Sequence, residues 1–112
     1  MLALRKANRQ RFAQAAERER LRSLDSAASC RQLAAILLTP NAAMKRTRLQ
    51  YALESVRRVG PAGALWLLRE AEIRPRRLDA RIGDLTRRER QDLAAVLARR
   101  AERADAEHRV RR

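Results

Sequence analysis

Apolar positions along this chain recur at steps of three and four and do not alternate over strand-length runs, a period that belongs to amphipathic helices. Residues 3–22 contain no proline or glycine and are dense in Ala, Arg, Glu and Gln, so propensity alone predicts a first helix. Its apolar residues are few, Leu4, Ala7, Ala15 and Leu21, whereas Arg11, Arg18 and Arg22 fall together at spacings of seven and four. A helix with so little to bury is expected to project as a basic arm.

Asp25 and Ser26 can cap a second helix, in which Cys30, Leu33, Ile36 and Leu37 form the inner face before Pro40 ends it. Asn41 then predicts a third helix carrying Leu49, Ala52, Leu53 and Val56 inward, with Tyr51 beside that face. Val59-Gly60-Pro61 is a break followed by proline at a favoured first helical position. A fourth helix is therefore predicted from Pro61 to about Ala71, with Ala64, Leu65, Leu67 and Leu68 inside. Trp66 turns away from that stripe and is expected to pack in the core against the first or fifth helix.

The stretch from Ile73 to Gly83 reads as an irregular connection, basic at Arg74, Arg76, Arg77 and Arg81 and anchored by Leu78 and Ile82. Thr86-Arg87-Arg88-Glu89 is a capping box that opens a fifth helix through Leu93, Val96 and Leu97. The resulting organisation is all-α with about five helices. It comprises a basic helical arm over residues 1–24, a helical core over residues 25–98, and a basic helix extension or tail over residues 99–112.

Composition supports one small core, because alanine supplies much of the 46% hydrophobic content of these 112 residues. No apolar run is long enough for a membrane span, and no apolar segment follows the basic start to make a secretory leader, so a cytoplasmic protein without a membrane partner is expected. Charge changes the picture most. Lys and Arg number 27 against 13 acids, a formal net charge of +14. Such a field attracts polyanions, with nucleic acid foremost and an anionic surface or an acidic protein behind it.

Catalytic chemistry finds no footing. Cys30 is the single cysteine and reads as a small core residue, while His108, the single histidine, lies in the charged final stretch. There is no zinc-ligand spacing and no glycine-rich phosphate loop, so neither an enzyme nor a cofactor is expected. Carboxylates sit within four residues of arginines, as in Glu70 with Arg74 and Asp84 with Arg88, which predicts helix-surface pairing. Phe12, Tyr51 and Trp66 are too widely separated to form a stacking platform for single strands.

Three segments carry a family likeness. Leu49-Gln50-Tyr51-Ala52-Leu53-Glu54-Ser55-Val56-Arg57-Arg58-Val59-Gly60 is an apolar helix running into a basic Val-Gly turn, Glu72-Ile73 precedes Pro75 and Arg76-Arg77-Leu78, and Leu4-Arg5-Lys6-Ala7 with Arg11 and Leu21-Arg22 lies in a charged, alanine-rich first helix. Together they resemble the actinobacterial integration host factors, nucleoid-associated proteins with a helix-two-turn-helix core. The resemblance implies binding to double-stranded DNA with weak sequence preference, a role in DNA organisation or in recombination complexes, and a place in the nucleoid. A monomer is expected.

By position the resemblance makes Arg76 and Arg77 phosphate contacts. With the charge pattern it extends the expected interface to Arg57, Arg58, Gly60, Gly63, Arg74, Arg81, Arg87 and Arg88, and to Lys6, Arg11, Arg18 and Arg22 of the arm. The chain departs from the family in having Pro61, Ala62 and Gly63 where a lysine or arginine is usual, and Asp79 where a base is expected. Gly83-Asp84-Leu85-Thr86 also looks like the corresponding turn of a small-subunit ribosomal protein, which keeps structured RNA as an alternative beside a basic adaptor for an acidic protein.

Overall fold

Asp25 caps a helix as the sequence predicts, its carboxylate accepting from the Ala28 amide at 2.8 Å, and Asn41 does the same for the Met44 amide at 2.8 Å. Around these starts the computed structural model describes residues 2–110, and the side chains of residues 5–110. The helices are α1 (Leu2–Ser23), α2 (Ser26–Leu38), α3 (Ala42–Lys45), α4 (Leu49–Ser55), α5 (Pro61–Glu70) and α6 (Arg87–Val110). Two 3-10 turns, Pro75–Asp79 and Ile82–Asp84, fill the connection before α6, and no strand occurs among the described residues. The all-α expectation holds.

The framework is an antiparallel pairing of α2 with α6. Ala27, Cys30, Leu33, Ala34 and Leu37 of α2 are buried with Leu93, Ala94, Val96, Leu97 and Ala101 of α6 in one continuous core. Arg90 Nη1 donates to the Leu37 carbonyl at 3.1 Å and so satisfies the C-terminal end of α2, while Arg31 and Asp105 join the far ends of the pair. Arg99 onward therefore continues α6 as helix, with Ala101 buried and Ala104 packed against the core. Arg111 and Arg112 of the expected tail lie outside the described residues.

Three expectations are corrected. First, α1 does not project; it lies against α2, α3 and α4. Leu21 is fully buried, the Leu21 carbonyl accepts from Ser29 Oγ at 2.9 Å, Gln14 Nε2 donates to the Ala43 carbonyl at 3.1 Å, and Gln10 accepts from Arg46. The docking face is Gln10, Gln14, Glu17 and Leu21, mostly polar, so a reading by hydrophobic stripe misses it. Leu4, one of the few apolar residues of this helix, has its side chain outside the described residues.

Second, the helix expected from Asn41 through Val56 is two helices. The chain leaves helical geometry between α3 and α4 so that Leu49 N donates to Ala80 O at 2.8 Å and Ile82 N donates to Thr47 O at 2.9 Å, an isolated antiparallel bridge between Arg48 and Arg81. Gly83 makes this approach possible, because a Cβ there would stand 2.9 Å from the Lys45 carbonyl oxygen.

Third, Leu65 and Trp66 are outside the core. α5 buries Ala64, Leu67 and Leu68, with Ala71 just beyond its end, and this single inward stripe leaves Leu65 43% and Trp66 39% exposed on the other side.

Local charge pairs also differ from expectation. Glu70 and Arg74 are separated by a turn that ends α5, and Asp84 belongs to a 3-10 turn, so neither carboxylate pairs with its sequence neighbour. Arg88 instead approaches Asp92 at 3.9 Å, and the closer pairs are the long-range ones, Arg31 with Asp105 and Arg77 with Glu89. Cys30 is core as expected, and burial pushes its thiol above the ordinary range.

Candidate nucleic-acid interface

α4 ends at Ser55, whose Oγ donates back to the Tyr51 carbonyl at 2.7 Å, and Val56 beyond it is extended. A turn closed by Val59 N donating to Val56 O at 3.1 Å then carries Arg57 and Arg58, and Arg58 takes φ 69°, in the left-handed region. Burial of Val56 and Val59 on either side holds the two arginines outward. Gly60 follows in extended geometry as the N-cap of α5 without a side-chain cap, and Pro61 occupies the first turn. Pro61 has no amide hydrogen and the Ala64 amide donates to Gly60 O at 2.9 Å, so the amides left available at the positive end of the helix dipole are those of Ala62 and Gly63.

These features surround an open recess of ≈ 440 Å³, whose wall is completed by Arg22 from the end of α1 and by Glu54 from α4. A Cβ at Gly60 would meet nothing within 4 Å, so this glycine faces open space. Gly63 is different, since its Cβ would stand 3.3 Å from Val59 Cγ1 and its smallness serves internal packing. Three guanidinium groups against one carboxylate leave the recess cationic. Arg18 extends this surface along α1, its guanidinium 5.9 Å from the Tyr51 ring centroid, and Arg11 is exposed further along the same side of the helix.

The other expected site residues lie elsewhere. Lys6 lines a separate groove of ≈ 640 Å³ with Arg9 and Asn41, on a side of α1 well away from Arg11, Arg18 and Arg22. Arg74 and Arg76 are exposed beyond the C-terminal end of α5, whereas the recess is at its start. Arg87 and Arg88 are exposed on the first turn of α6, and Arg81 is exposed beside Arg48 at the bridge.

Arg77 has a structural task. Its Nε and Nη2 donate to Glu89 at 3.0 and 2.9 Å, and Nη2 also donates to the Asp84 carbonyl at 3.0 Å. Glu89 in turn closes the capping box, accepting from the Thr86 amide at 2.9 Å while its own amide donates to Thr86 Oγ1 at 3.0 Å. The Arg77 bond, aided by the Thr86 amide, holds the Glu89 carboxyl below the ordinary glutamate range. Arg77 thus fastens the basic connection to α6 with the donors that the resemblance assigned to phosphate.

Sequence reasoning missed Glu54, Tyr51 and Arg48 as members of the charged surface. The i, i+4 spacing of Glu54 and Arg58 was a legible signal; the approach of Arg48 to Arg81 had none in the local pattern. Among the described residues no helix is long and apolar enough to cross a membrane. Neither a protein-family model, a curated protein nor a solved structure matches the chain.

Proposed function

We propose that this protein binds double-stranded DNA through the phosphate backbone, with weak sequence preference, and acts as an architectural protein of the nucleoid. The observation that carries this reading is the convergence of Arg22, Arg57 and Arg58 with Gly60, the N-cap of α5, on one open recess, none of the three arginines being held in an ion pair among the described residues. Amides at a helix start and flanking guanidinium groups suit a phosphate oxygen, and contacts of this kind position a duplex without reading its bases. The excess of positive charge over the whole molecule and the resemblance to the actinobacterial integration host factors support the same reading. Arg18 and Arg11 continue the contact along α1, and Arg76 takes part at the far end of α5 when the duplex bends toward it.

Glu54 gives the reading a sharp test, because a carboxylate in the recess opposes phosphate. Glu54→Gln is expected to tighten duplex binding a few-fold, by removal of about 1 kcal/mol of near-surface repulsion. Fluorescence anisotropy with a labelled duplex, a single strand and a structured RNA side by side would measure this. Preference for the duplex together with tighter binding by the variant supports the proposal. Equal binding of all three, or a duplex affinity untouched by Glu54→Gln, overturns it in favour of a basic adaptor.

A further inference from the structure

The outer face of α5 is unlike the outer faces of the long helices. Its ten residues place Ala62, Leu65, Trp66 and Arg69 on the side opposite Ala64, Leu67 and Leu68, and two adjacent large apolar side chains stay 43% and 39% exposed. A lone exposed leucine needs no explanation, but a Leu-Trp pair continuous with Pro61 and Ala62 is a patch. The patch belongs to the helix whose N-cap, Gly60, lines the arginine recess. Ala62 and Trp66 are four residues apart, roughly 6 Å along the helix axis, which is about two base-pair rises.

An occupant of this face must carry apolar surface and tolerate cations. A second copy is disfavoured, since each chain brings a net charge of +14 and Arg69 stands within the patch. The stacked bases of a duplex whose phosphate sits in the recess satisfy both conditions. We infer that Leu65 and Trp66 form an apolar wedge that enters the minor groove beside the anchored phosphate and partly unstacks a base step, kinking the DNA. The inference rests on the duplex-binding reading and adds bending to it. It also gives a source of preference without base-specific hydrogen bonds, because pyrimidine–purine steps unstack more readily than A-tracts.

Trp66 is the only tryptophan in the chain, so its emission reports on the wedge directly. The experiment titrates the full-length protein with end-labelled duplexes containing either a central TA step or an A-tract, and follows anisotropy, end-to-end energy transfer and tryptophan emission together. Expected results are at least a twofold quench of Trp66 at saturation, a shortened end-to-end distance, and several-fold tighter binding to the TA duplex. The variant Leu65→Ala/Trp66→Ala is expected to bind the A-tract duplex within about threefold of the parent with its salt dependence kept, yet to lose the preference for the TA duplex and leave it straight, while Trp66→Phe restores the bend. Thermal melting confirms that these surface variants fold.

Four outcomes overturn the wedge. Unchanged Trp66 emission on a saturated duplex places the face away from DNA. Equal bending by the double alanine variant assigns the bend to other residues while duplex binding stands. An absence of any anisotropy change removes the duplex reading and the wedge with it. Quenching by an acidic peptide but not by duplex identifies the face as a protein-docking surface and likewise contradicts the proposal.

Discussion

Glu72 shows how a single residue records a compromise between helix ending and composition. It takes φ 57° just after α5, its amide donates to the Arg69 carbonyl at 3.0 Å, and the Ile73 amide donates to Leu68 O at 2.8 Å. This is a Schellman ending with glutamate at the position where glycine is usual. The left-handed conformation costs a non-glycine residue about 1–2 kcal/mol, so Glu72→Gly is expected to stabilise the protein by about 1 kcal/mol after its larger unfolded-state entropy is counted. Glu72→Ala keeps the penalty and is expected to show no gain, and a thermal melt of both variants separates the two. The end of α5 was legible from the loss of apolar period, but the left-handed turn was not, because no glycine marks it.

Glu89 is legible as a cap and illegible as a clasp. Thr86 and Glu89 announce the capping box by spacing alone, whereas the bond from Arg77 depends on how the connection folds back. Because the folded-state pKa of Glu89 lies below its ordinary range, its stabilisation is present above the unfolded value and is lost as pH falls through the depressed folded value. Glu89→Gln, which keeps capping geometry, is expected to flatten that part of the acid limb in urea melts taken from neutral to acid pH. Arg77→Ala is expected to cost about 1 kcal/mol through the partly exposed pair and the lost carbonyl bond. An Arg77→Ala protein with parental stability would contradict the clasp.

At the scale of elements, the helices with a strong apolar period were readable, and those held by polar or backbone contacts were not. α2, α5 and the first half of α6 declare themselves by buried residues at three- and four-residue steps. The division between α3 and α4 is set by the Thr47–Ile82 and Leu49–Ala80 backbone bonds, which join segments distant in sequence. α1 is seated by Leu21 and by amide side chains, so the stripe count underrated it. Leu21→Ala is accordingly expected to destabilise the whole protein by about 2–5 kcal/mol. Removal of residues 1–12, which spares Leu21 and Gln14, is expected to leave one cooperative calorimetric transition while weakening duplex binding through the loss of Arg5, Lys6, Arg9 and Arg11. Retained affinity in that truncation would confine the interface to the recess and the end of α1.

For the whole molecule, charge is the property that organises everything else. The described residues extend 55 × 29 × 23 Å, with one Arg-bearing side of α1 running up to the recess at the start of α5. From Arg11 to Arg22 that side spans roughly 16 Å, about five base-pair rises. The recess was partly legible, since Arg57, Arg58, Gly60 and Arg22 were all expected site residues, but its assembly from the ends of α1 and α4 and the turn before α5 needed the fold. On the proposed reading, phosphate bound by these groups would release condensed counterions, about 0.9 for each phosphate neutralised. The most direct measurement is the duplex affinity of the parent and of Arg57→Ala/Arg58→Ala across a salt series. The expected parent line falls log-linearly with a slope of about −4 or steeper, and the variant line is shallower by about two. A flat parent line, or a folded variant with the parent's slope, would contradict backbone binding at the recess.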